Sequence, residues 1–135
     1  MQVYTLGKEE KERIIKLLRD FLLRRDDVVF AYLHGSFLED GPFRDVDIAI
    51  YVRAEVHPFY EAELEEELSR AIGLPVDVRI LNDAPVTFRF RAIEGLLLFS
   101  KDEKARCDFE ERTMREYHDY SYYLNMYRRE ALGIR

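Results

Sequence analysis

Two neighbouring apolar runs constrain this chain more than any other feature in it. Residues 28–34 read Val-Val-Phe-Ala-Tyr-Leu-His with almost no alternation, the pattern of a strand buried on both faces. After a turn signal at Asp40-Gly41-Pro42, residues 45–52 read Asp-Val-Asp-Ile-Ala-Ile-Tyr-Val with clean alternation. Val46, Ile48, Ile50 and Val52 point one way, and Asp45, Asp47, Ala49 and Tyr51 the other. A strand buried on both sides needs a layer above and below it, so helices must cover a sheet. Two carboxylates inside an apolar strand then need a partner, because burying an unpaired acid is costly.

The rest of the chain supplies the layers. Residues 8–25 carry Ile14, Leu17, Leu18, Phe21 and Leu22 at helical spacing, with Thr5 as the expected cap. Pro58 opens a second helix that runs to Ile72 and stops at Gly73. Residues 75–80 predict a third strand, with Val76, Val78 and Ile80 on one side and Asp77 on the other. Residues 85–94 predict a short helix, residues 96–99 a strand, and residues 102–132 a long helix rich in charge and aromatic rings. That order predicts an α/β (α+β) fold, a small mixed sheet with helices packed on it. One domain is expected over residues 1–135, with a core at about 8–100.

Composition narrows the function. Apolar residues make up 47% of the chain and charged residues 36%, with no apolar run long enough to span a membrane. The N-terminus lacks the layout of a secretory signal, and Cys107 stands alone. Both point to the cytoplasm. A net charge of −6 argues against direct nucleic-acid binding. A nucleotide substrate stays open, because a metal ion can reverse the local sign of a site.

Asp45 and Asp47 lie two apart on one strand face, about 6–7 Å from each other. Such a pair resists joint ionisation unless a cation joins it. Mg²⁺ is the cation that suits carboxylates completed by phosphate oxygens and water. If the third strand lies beside the second, Asp77 joins the pair. Gly35-Ser36 ends the first strand, where a helical turn would aim free N–H groups at a phosphate. Taken singly, a Gly-Ser step is a turn and an Asp-x-Asp pair is a solvated face. Their coincidence with Asp77 is what points to phosphoryl chemistry.

This set of residues resembles the polymerase-β-like nucleotidyltransferase superfamily, in which an apolar strand, Gly-Ser, a spacer and a flanked Asp-x-Asp follow one another. Here these are Tyr32-Leu33-His34-Gly35-Ser36, residues 37–44, and Asp45-Val46-Asp47-Ile48-Ala49-Ile50. The family's third acid matches Asp77 in Pro75-Val76-Asp77-Val78-Arg79. The minimal nucleotidyltransferase branch is the most similar. The resemblance implies a polymerase-β-like fold, Mg²⁺ held by Asp45, Asp47 and Asp77, and ATP as substrate with its phosphates at Gly35 and Ser36. It also implies an antitoxin that transfers AMP from ATP to a tyrosine of a HEPN-domain ribonuclease toxin, its partner in a hetero-oligomer. The chain's small size fits a partner that supplies the acceptor. A non-catalytic antitoxin and an aminoglycoside-type nucleotidyltransferase are the alternatives.

The sequence departs from the family at the spacer, which has eight residues, fewer than usual, and begins with Phe37 where a basic residue often stands. Arg44 is the expected replacement near the phosphates. Arg79, Arg89 and Arg91 are further candidates for the triphosphate or the partner, Arg79 foremost because it shares a face with Asp77. His34 is expected to be structural. The last helix interleaves Tyr117, Tyr120, Tyr122, Tyr123 and Tyr127 with arginines. Part of that surface is expected to pack on the sheet and the rest to meet a partner.

Overall fold

The computed structural model describes residues 2–133. Its elements are α1 (Lys8–Leu23), β1 (Val28–His34), a 3₁₀ turn (Ser36–Leu38), β2 (Val46–Val52), α2 (Tyr60–Ile72), β3 (Val76–Ile80), α3 (Val86–Ile93), β4 (Leu96–Ser100) and α4 (Glu103–Leu132). The strands lie in the order β3-β2-β1-β4. β1 is antiparallel to β2 and β4, and β2 is parallel to β3. The α/β (α+β) architecture expected from the sequence is present.

β1 sits in the interior of the sheet, which accounts for its unbroken apolar run: six of its residues are buried and only His34 is half-exposed. A bulge between Val28 and Phe30 shifts its register. Beyond it, Ala31 and Leu33 face one layer with Ile14, Leu18, Leu64 and Leu68 of α1 and α2. Phe30 and Tyr32 face the other layer with Phe88, Ala92 and Phe109 of α3 and α4. β2 keeps the predicted alternation, sending Ile48 and Ile50 to the first layer and Ala49 to the second.

Thr5 does not cap α1. Tyr4 exchanges two backbone hydrogen bonds with Phe43, at 2.8 and 2.9 Å, so the chain is held extended there. The helix starts only after Gly7, which caps it without a side chain.

β3 is an edge strand, yet its outer N–H groups are satisfied. Val76, Val78 and Ile80 donate to Ser69 Oγ (3.1 Å), Glu65 Oε2 (2.8 Å) and Glu61 Oε2 (2.9 Å). The three acceptors stand four residues apart on one side of α2, matching every second residue of the strand. The helix therefore covers an edge that would otherwise invite pairing with another chain.

α4 is fastened to the second layer at two places. Tyr32 donates its hydroxyl proton to Glu110, which Arg106 also holds at 2.9 Å. Arg89 donates to Ala84 O (3.0 Å) and Thr113 Oγ1 (3.3 Å) and pairs with Glu116. Among the described residues, no helix is long and apolar enough to cross a membrane.

Candidate active site

The register of the sheet sets the site. His34 of β1 pairs across to Asp47 of β2, and Asp47 pairs to Asp77 of β3. Paired residues project to the same side, so one row of three strands carries His34, Asp47 and Asp77. One step further along, Ala49 and Arg79 stand in register. Asp45 lies just before β2, half-buried.

The turn after β1 closes the row on one side. Gly35 has φ 86° and ψ −165°, a conformation that side chains rarely adopt. A Cβ at that position would collide with the Asp47 carboxylate. Glycine is thus required twice over, by backbone and by its acidic neighbour. Ser36 begins the 3₁₀ turn and is exposed.

Gly35, Asp47 and Asp77 line one cavity of about 370 Å³ with His34, Arg79, Phe88 and Arg91, a size that suits a small ligand. α3 provides its far wall. The turn that leaves α3 approaches β1 so closely that a Cβ on Gly95 would lie 3.0 Å from His34 Cβ. Phe88 meets the His34 ring edge-on at 5.4 Å. Arg79 and Arg91 place their guanidinium carbons 5.2 and 5.9 Å from the Phe88 ring centre.

The electrostatics agree with the geometry. Burial, helped by Asp45 and then Asp77, pushes the Asp47 carboxyl up from 3.8 to about 6. The three acids therefore share a field that disfavours their joint ionisation. His34 is pushed down, first by burial and then by Arg91, and its buried Nε2 has no hydrogen-bond partner. Glu65 is pushed up by burial, with the Val78 N–H opposing the rise and the neighbouring Asp77 adding to it.

Among the described residues, no three acidic, His or Cys side chains form a ready metal cage. The donor set still fits Mg²⁺, which takes one or two carboxylates and leaves its other positions to water and substrate phosphates. A divalent ion at these acids would offset the mutual repulsion that, after burial, helps to raise the Asp47 pKa.

The structure brings Gly35, Asp47 and Asp77 together, with Asp45 near enough to act on Asp47. Arg44 is exposed and does not line the cavity. Phe37 turns inward, 0% exposed, and packs on Phe43 at 5.0 Å. Of the three candidate arginines, Arg79 and Arg91 reach the cavity, whereas Arg89 is 8% exposed and ties α3 to α4. Phe88 lines the cavity and Glu65 adjoins Asp77, and neither is marked by a sequence motif. Glu65 had a legible signal, the four-residue spacing of Glu61, Glu65 and Ser69; Phe88 had none.

Several solved structures share this fold. A chain of the toxin–antitoxin MntA-HepT is 22% identical, with 93% of this chain and 95% of that chain covered at a TM-score of 0.64. A complex of tri-AMPylated Shewanella oneidensis HEPN toxin with MNT antitoxin gives 23% identity, 94% and 95% coverage, and 0.64. A toxin–antitoxin structure with AMP-PNP gives 23% identity, 90% and 94% coverage, and 0.65. At these identities the likeness is one of fold. No curated protein sequence matches the chain. The family described as "Polymerase beta, Nucleotidyltransferase" matches residues 13–104, which span β1, the Gly35-Ser36 turn and all three acids. By that match the chain belongs to the polymerase beta nucleotidyltransferase family.

Proposed function

We propose that this protein is a Mg²⁺-dependent adenylyltransferase that acts as an antitoxin, moving AMP from ATP onto a tyrosine of a HEPN-domain toxin. The observation that carries the reading is the row of Asp47 and Asp77 beside the Gly35 turn, with Asp45 close by. Family membership supports the reaction class. Solved neighbours named as MNT antitoxin with AMPylated HEPN toxin, and as a toxin–antitoxin with AMP-PNP, support the acceptor and the nucleotide. The exposed end of α4, with Tyr122, Tyr123, Met126 and Tyr127, supports a protein partner. The lone cysteine and the need for ATP suit the cytoplasm.

Asp45 and Asp47 are the residues that would hold Mg²⁺, with Asp77 completing the set. The ion would supply neutralisation of the phosphate charge. Backbone N–H groups at Gly35 and Ser36 bind phosphate oxygens, and the Ser36 hydroxyl adds one donor. The acceptor's phenolic oxygen then forms a bond to the α-phosphorus as the bond to the bridging oxygen breaks. Pyrophosphate leaves with the electron pair, and the phenolic proton passes to Asp77. No covalent enzyme intermediate is needed.

The test uses a HEPN-domain protein, sought among the products of neighbouring genes, with ATP labelled at the α-phosphate and Mg²⁺. AMP label should appear on a tyrosine of the partner. Absence of label, or equal labelling by the Asp45→Ala/Asp47→Ala variant, would sink the reading.

A further inference from the structure

The leaving pyrophosphate needs positive charge, and the Gly35-Ser36 turn of this chain supplies little. Phe37, next in the spacer, is fully buried against Phe43. Arg44 is exposed away from the cavity. Lys11 approaches the spacer from outside, where its Nζ donates to Glu39 O at 2.8 Å and lies 5.4 Å from both the Phe37 and Phe43 rings. It faces a different cavity, lined by Leu6, Ile15 and Gly41 among others. The cations that do line the acid cavity, among the described residues, are Arg79 and Arg91.

Their placement is suited to an anion. Arg79 stands two residues after Asp77 on the same strand face, about 6–7 Å along. Arg91 stands three residues after Phe88 on α3, so both look to the same side of the helix. Both guanidinium groups rest against the one Phe88 ring, which limits their freedom before any ligand arrives. Among the described residues, neither makes an ion pair with a carboxylate. His34, whose buried Nε2 lacks a partner, lines the same cavity.

We propose that Arg79 and Arg91 form the binding site for the β- and γ-phosphates of the nucleotide, taking the place of the basic charge that the spacer lacks. The inference rests on the nucleotidyl-transfer reading and extends it. As the bond between the α-phosphorus and the bridging oxygen breaks, one further negative charge settles on the pyrophosphate. Two guanidinium groups, always protonated and able to bind phosphate in two-point fashion, neutralise it where it forms. Asp45 and Asp47, with the ion they would hold, then serve the α-phosphorus side, and the arginines serve the leaving group.

Calorimetric titrations test this with three probes, each with Mg²⁺: inorganic pyrophosphate, α,β-methylene ATP and AMP. The Arg79→Met/Arg91→Met variant should bind pyrophosphate and the ATP analogue about tenfold or more weaker, and AMP as before. Both side chains are exposed, so its thermal midpoint should match the parent's. Arg79→Lys/Arg91→Lys, which keeps the charge, should recover part of the lost affinity. Unchanged pyrophosphate binding in the Met variant, or an equal loss for AMP, overturns the proposal while leaving the transfer reading intact. A parent chain that binds neither pyrophosphate nor the analogue overturns both.

Discussion

Asp47 is the residue at which function and stability pull against each other. Its carboxyl is held at about 6 by burial and by the neighbouring acids, against an ordinary value of 3.8. Between those values the folded state binds the extra proton and the unfolded state does not. Stability therefore falls as pH rises through that window, and the whole penalty is present above pH 6. Asp47→Asn removes it. In metal-free protein at pH 7 that variant should be more stable by on the order of 1–2 kcal/mol after allowance for solvent screening. A melting temperature raised by a few degrees at pH 7, and unchanged near pH 3.5, is the expected pattern. Equal shifts at both pH values would contradict the cause given. The same variant should lose Mg²⁺-nucleotide binding, since it removes one of the carboxylates that would hold the ion.

At the scale of elements, α2 fixes β3 and through it Asp77. Glu65 accepts from Val78 N at 2.8 Å, next to Asp77 in sequence. Glu65→Ala strips a partner from that N–H and should cost about 1–3 kcal/mol in urea unfolding. Glu65→Gln keeps an acceptor and should cost far less. Equal losses for the two would show that the hydrogen bond is not the reason. The strands and their faces were legible beforehand, because alternation in residues 45–52 and its absence in residues 28–34 record burial directly. The parallel pairing that sets Asp47 beside Asp77 followed only as a condition, since register between separate strands is a tertiary fact. Thr5 does not cap α1 because the Tyr4–Phe43 bridge holds that segment extended, a contact with no local signature.

At the scale of the whole molecule, α3 and α4 decide which arginines can act. Arg79, Arg89 and Arg91 are alike in sequence, but α3 turns Arg89 towards α4 and leaves Arg91 at the cavity. Arg89→Met removes bonds to Ala84, Thr113 and Glu116 together. It should destabilise the fold by about 2–4 kcal/mol, read as a lower urea midpoint. A change below about 0.5 kcal/mol would mean that α4 is fastened elsewhere. Helix packing of this kind depends on distant residues, so the cavity wall at Phe88 and the choice of Arg91 over Arg89 were beyond reach of spacing arguments, whereas the acids, the Gly35-Ser36 turn and Arg79 were not.

The central claim is that three acids and a glycine turn bind a divalent ion together with a nucleotide. Electron paramagnetic resonance of Mn²⁺, standing in for Mg²⁺, measures this directly. Free Mn²⁺ signal should fall when protein and α,β-methylene ATP are both present, beyond the fall with the analogue alone. The Asp45→Asn/Asp47→Asn variant, still folded by circular dichroism, should show no such excess. Equal Mn²⁺ uptake by that variant, or none by the parent chain, would contradict the claim.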